Sequence, residues 1–216
     1  MTGFDTAAEL RVRAGDRERT WEFLRLFTAA WGLAAGPAPM PRVEGMPVAL
    51  REAYTIGGVL DPAWLDRDGD VLVFHGADQT VTDTLWGVRA EERDHPDPPV
   101  VINTGSGWQP YLDRVSLACV DIAMTAVVQD EEGRLCNAAE LSPELAGPVV
   151  AAFDRVPLPD LPMWIEAEAS PVRWYSGPGQ LLRAHGPDWV WLWVSAQDQA
   201  ALDGIYAVVP PGEWSC

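Results

Sequence analysis

At 216 residues, 48% hydrophobic and 22% charged, the chain has the composition of a globular protein and is long enough to bury a substantial core. Thirty-two carboxylates oppose fifteen basic side chains, every one an Arg, for a formal net charge of -17. Such a surface stays soluble, repels nucleic-acid phosphates and anionic membranes, and attracts a basic partner.

Residues 1–15 are mixed and read as a frayed or loosely docked terminus. From Asp16 a helix is expected: Trp21, Leu24 and Trp31 recur on one stripe, Phe23, Phe27 and Ala30 on an adjoining one, Asp16 can cap its start and Gly32 end it. The proline-rich run from Gly36 to Pro41 is an extended connector. Pro47 to Tyr54 reads as a second helix, stopped by Gly57-Gly58, and Asp61 to Gly69 as a turn-rich approach to a strand.

Between Asp70 and Ile102 lie three apolar runs rich in β-branched and aromatic residues: Val71 to Phe74, Leu85 to Val88 and Val100 to Ile102. Each is bounded by Asp, Gly or Pro, so three antiparallel strands are expected. His75 to Thr84 is then an enlarged hairpin loop, Arg89 to Pro99 an acidic, proline-containing one, and Asn103 to Gly107 a further loop. Asp113 to Gln129 is apolar nearly all round, as a helix covered on both sides would be. Ser142-Pro143-Glu144 starts a short helix. Beyond the proline-rich 157–162 stretch, Val172 to Tyr175, Gln180 to Arg183 and Trp189 to Val194 form a three-strand meander. A short helix over Ala196 to Leu202 and a last strand over Ile205 to Val209 complete the chain.

Cys119, Cys136 and Cys216 form an odd set without short spacing, so neither a disulfide framework nor a Cys-x-x-Cys zinc site is signalled. No N-terminal segment joins a basic flank to an apolar core, and no apolar run approaches ~18 residues, so a cytoplasmic location is expected. The Asp66-Arg67-Asp68-Gly69-Asp70 cluster fails as a calcium loop, because its Gly stands at the fourth position and Ala77 at the twelfth. Gly105-Ser106-Gly107 lacks the remaining residues of a phosphate loop, and no nucleophile elbow occurs. His75, His95 and His185 have no metal-ligand spacing. The expectation is therefore a protein without catalytic residues, cofactor or metal.

A recognition surface remains. Residues 61–100 hold ten acidic groups (Asp61, Asp66, Asp68, Asp70, Asp78, Asp83, Glu91, Glu92, Asp94 and Asp97) against Arg67, Arg89 and Arg93. Trp64, Trp86 and Trp108 lie in or beside this region; Trp86, mid-strand, reads as core. Loops of one sign with aromatics suit a basic protein, since charge steers approach and desolvated aromatics anchor it. The candidate contacts are Asp61, Trp64, Asp66, Asp68, Asp78, Glu91, Glu92, Asp94, Asp97 and Trp108.

The order of several motifs resembles the SMI1/KNR4 (SUKH) superfamily over roughly residues 20–130. Leu50 to Gly58 resembles its first helix and glycine turn, and Thr84-Leu85-Trp86-Gly87-Val88-Arg89 with the acidic loop closing on Asp97-Pro98-Pro99-Val100 resembles its central hairpin. Trp108-Gln109-Pro110-Tyr111 before an apolar helix resembles its closing segment. The family's turn commonly reads Asn-Gln-Gly, where this chain has Asp78-Gln79-Thr80. The resemblance implies an α+β fold: a mainly antiparallel sheet of four to seven strands with helices on one face. Residues 1–156 would form that body (core about 16–130), with 157–216 a β-rich extension packed on it. It further implies a non-enzymatic binding protein, in bacteria an immunity protein that neutralises a cognate toxin, frequently a nuclease with a basic cleft. The alternative is a regulatory scaffold of the same family without a toxin partner.

Overall fold

The computed structural model describes residues 3–33, 41, 43–77, 84–129, 135–163, 171–187, 189–209 and 214. They form an α+β protein of six helices and two five-stranded antiparallel sheets, organised as two compact units, residues 15–123 and residues 1–14 with 124–216. The chain opens on α1 (Thr6–Arg13), where a frayed or loosely docked end was expected. Its start is held by Asp5, whose carboxylate accepts the Ala8 N–H. The Ala7 N–H donates to Ser176 Oγ at 2.7 Å, tying the helix to the strand that carries Ser176.

The middle unit contains α2 (Arg17–Ala30) and α3 (Val48–Ala53). As the sequence predicts, Asp16 caps α2, and Trp21, Phe23, Leu24 and Phe27 bury its inner stripe. Trp21 Nε1 donates to Glu52 Oε2 at 2.7 Å, giving the buried indole a polar partner on α3. A 3-10 turn, Pro62–Trp64, leads into the strands β1 (Asp66–Asp68), β2 (Val71–Ala77), β3 (Thr84–Arg89), β4 (Val100–Asn103) and β5 (Trp108–Leu112), which pair in that order. Three of the five are the expected apolar runs. The two edges were not foreseen as strands, and each is atypical: β1 is Asp-Arg-Asp and wholly exposed, while β5 contains Pro110, tolerable only where no ladder donor is needed.

The sheet is strongly curled. Four strand spacings of about 4.8 Å separate β1 from β5 in a flat sheet, far beyond the joint reach of an indole and an aspartate. Yet Trp108 Nε1 donates to Asp68 Oδ2 at 2.9 Å. Two glycines make room on this side. A Cβ at Gly87 would meet the Trp108 ring and Val71, and a Cβ at Gly76 would lie 2.2 Å from the Trp64 ring. Both tryptophans therefore come close to glycines of the sheet, Trp64 on Gly76 most tightly. On the opposite face Trp86 meets His75 at 5.0 Å and the edge of Tyr111 at 6.2 Å between ring centres.

Helix α4 (Val115–Gln129) is buried from Val115 to Met124, as its apolar composition requires, and the division between units falls within it, after Ala123. The remainder holds β6 (Leu135–Leu141), α5 (Pro143–Val150), β7 (Asp154–Arg155), β8 (Val172–Gly177), β9 (Gln180–His185), β10 (Val190–Ala196) and α6 (Gln199–Tyr206). The expected meander is present as β8–β9–β10. It does not extend the first sheet; β6 pairs with β10 over seven residues and β7 with β8, making a sheet in the order β6-β10-β9-β8-β7. One face packs Leu182, Leu192 and Val194 against Leu202 and Ile205 of α6. Residues 157–162 run beside β8, where Leu161 bridges Val172. The expected strand over 205–209 is absent: Leu202, Ile205 and Val209 recur at helical spacing and bury the inner side of α6 and the turn after it.

Candidate functional site

The carboxylates of the middle unit are assembled by the turn between β1 and β2. The carbonyl of Asp70 accepts the Ala90 N–H at 2.8 Å and the Arg93 guanidinium at 3.2 Å. This fixes a second 3-10 turn, Ala90–Glu92, against the end of β1. Asp70 thus stands against the turn that carries Glu91 and Glu92, with Asp94 after it, and Asp66 and Asp68 lie on the edge strand leading into it; all are exposed except the half-buried Glu92. Three arginines interleave. Arg89 reaches Asp70 at 3.6 Å, and Arg67 donates to the Glu44 carbonyl, so part of the charge is locally balanced. Among the described residues neither Glu91, Glu92 nor Asp94 has an ionic partner.

Not every sequence candidate belongs to this rim. Asp97 is buried: its Oδ1 accepts the Ser116 N–H at 3.0 Å and its Oδ2 the Ser116 hydroxyl at 2.6 Å. It caps α4 from a distant loop, satisfying donors that a helix start leaves open, and offers nothing to a partner. Asp61 caps the first 3-10 turn through the Ala63 N–H, and Trp64 sits on Gly76, several residues along β2 from the end that meets the rim. Trp108 is tied to Asp68, half-buried over Gly87, so its first role is to close the curl. Asp78 lies outside the described residues.

Beside the rim the surface dips into a hollow of about 390 Å³, lined by residues 99–101 and 110–113 together with Arg89 and Glu92. Its apolar walls are prolines, valines, Leu112 and part of Tyr111. Tyr111 also anchors it inward, donating its hydroxyl to the buried carboxylate of Asp121 on α4 at 2.5 Å.

The interior behind the sheet gathers polar groups that the sequence gives no reason to associate. Among the described residues, the hydroxyl of buried Tyr54 has no hydrogen-bond partner, and neither does the buried Nδ1 of His75. Both feel the charge of Asp61. Burial, followed by the negative charges of Cys119 and Asp61, pushes the Tyr54 phenol up to about 12. Burial pulls the His75 imidazole down to about 4, with Asp61 opposing. The thiol of Cys119 is driven upward by burial and then by Asp97. A thiolate nucleophile needs a lowered thiol, so Cys119 is not poised as one. Among the described residues no cluster of three or more His, Cys, Asp or Glu is placed to hold a metal, and no helix is long and apolar enough to cross a membrane.

Comparison with family models, with curated proteins and with solved structures finds no match for this chain.

Proposed function

We propose that the chain is a non-enzymatic protein-binding module of the SMI1/KNR4 type, an immunity protein that works in the bacterial cytoplasm by capturing a basic toxin domain. The observation that carries this reading is the rim at the β1–β2 turn, where the end of the strand bearing Asp66 and Asp68 is tied through Asp70 to the turn bearing Glu91 and Glu92, with Asp94 after it, beside a hollow with apolar walls. Such a rim presents negative charge in the manner of a phosphate backbone. A toxin that acts on nucleic acid carries a cleft of the complementary sign, and long-range attraction accelerates encounter. The order of motifs from Leu50 to Tyr111 supports the family, and the charge supports the sign of the partner.

The deciding experiment is co-expression with the product of the neighbouring reading frame. Rescue of growth and a stable one-to-one complex on gel filtration are expected. A neighbour that is harmless alone, or a toxin left fully active by this chain, overturns the immunity reading.

A further inference from the structure

The hollow beside the rim has a chemistry more specific than negative charge, and from it we infer that it is the socket for an arginine side chain of the basic partner. This rests on the proposed function and names the anchor within it. Apolar walls from Pro99, Val101 and Pro110, with part of Tyr111, suit the methylene stem and planar head of an arginine, which sheds water more readily than an ammonium. Two carboxylates, Glu92 and Asp113, stand at the same hollow.

Their surroundings decide the sign of the occupant. Arg89, the one cation lining the hollow among the described residues, is paired with Asp70 at 3.6 Å, so its charge is met from outside. Asp113 is held loosely by its neighbour Arg114 at 3.7 Å and is largely exposed. Glu92 has no ionic partner among the described residues although it is half-buried. A carboxylate partly withdrawn from water without a cation is at a disadvantage that an arriving guanidinium removes. An apolar side chain would fill the walls and leave Glu92 unmet; an anion would face Glu92, Asp113 and the rim. The Tyr111–Asp121 bond keeps that part of the wall in place before the partner arrives, so little ordering is left to be done on binding.

The test is a ¹⁵N–¹H NMR titration of the full chain with acetyl-arginine-N-methylamide, and in parallel with acetyl-norleucine-N-methylamide, which keeps the stem and lacks the cation. Saturable shifts confined to residues 89–93, 99–102 and 109–113 are expected with the arginine compound alone. Glu92→Gln, which keeps the size of this half-buried side chain, should weaken them about tenfold, the loss of one charge-assisted contact. Equal shifts from the norleucine compound, shifts spread over the whole acidic surface, or an unchanged response in Glu92→Gln would each overturn the socket. So would a concentration-dependent dimer that buries these residues, since a second copy of the chain would then be the occupant. Failure here is separable from failure of the immunity reading. A toxin complex indifferent to Glu92→Gln removes the socket alone, whereas an arginine-binding chain that leaves its neighbour's toxin active removes the immunity reading alone.

Discussion

The two units are equally acidic and put their acid to different use. Residues 15–123 hold seventeen carboxylates against nine arginines, and the rest of the chain fifteen against six. In the outer unit several are spent on architecture: Asp5 and Asp198 cap α1 and α6, and Asp160 clamps Arg155 and Arg173 at 2.8 and 2.7 Å. In the middle unit Asp16, Asp61 and Asp97 do the same, yet six more lie along β1 and the two turns that Asp70 ties together. Net charge alone therefore locates nothing; it is the fold of β1, β2 and the turn after β3 that turns a diffuse property into a surface.

Both units also enclose a histidine in a sheet, and the same measurements can test them against each other. The largest effect is expected from the outer sheet's aromatic centre. Trp174 is fully buried with Arg183 over its ring, and Trp174→Ala should cost about 3–5 kcal/mol in urea unfolding. Trp191, exposed two strands away on β10, should cost under ~0.5 kcal/mol.

Next comes acid. His75 and His185 are each pulled down to about 4, the first by burial, the second by burial and then Arg183. In His185 the Nε2 accepts the Trp193 indole N–H at 3.3 Å, an acceptor role that protonation would abolish. Unfolded histidines bind a proton near pH 6.5, so the folded state is favoured in full above that value and loses stability as pH falls toward 4. The loss should approach roughly 3 kcal/mol for each, at about 1.4 kcal/mol per unit. Replacing either by Gln should halve the slope between pH 6.5 and 4; an unchanged slope would mean that residue is solvated.

A smaller loss, about 2 kcal/mol, is expected for Asp97→Ala, because two donors at the start of α4 would be left buried and unmet. Trp108→Phe keeps the ring over Gly87 and removes the bond to Asp68, for about 1 kcal/mol or less. Smallest in stability, within ~0.5 kcal/mol, is the triple change Glu91→Gln, Glu92→Gln, Asp94→Asn. Its effect should appear instead in association with the basic partner, slower at low salt and with a flatter salt dependence, measured by stopped flow. The same three-fold neutralisation at Glu140, Glu144 and Asp154 of the outer unit should leave association unaltered; equal effects from both would dissolve the distinction between the units.

What could be read from the sequence follows the range of the interactions involved. Helices α2 and α4 and strands β2, β3 and β4 carry their own periodicity, so local pattern suffices. Strand β6, Leu-Cys-Asn-Ala-Ala-Glu-Leu, has no such pattern and is a strand because β10, some fifty residues later, pairs with it. Helix α1 buries only Thr6, Ala7 and Leu10, too few to mark a stripe, although Asp5 was a legible cap. Asp97 looked like one more loop charge because the helix it caps is brought to it only by β4 and β5. Trp64 and Trp108 were legible in part: Gly76 and Gly87, glycines inside strands, are the usual sign that something lies close on the backbone.

The border formed by β1 has one more consequence. A bare strand edge normally invites a second molecule to add its own strand, and the process can repeat without end. Here every side chain on that border is ionic, and Trp108 reaches from the far side of the sheet to hold one of them. Concentrated solutions should consequently stay free of fibrils seeded along this flank, leaving the rim above it open for a partner of a different kind.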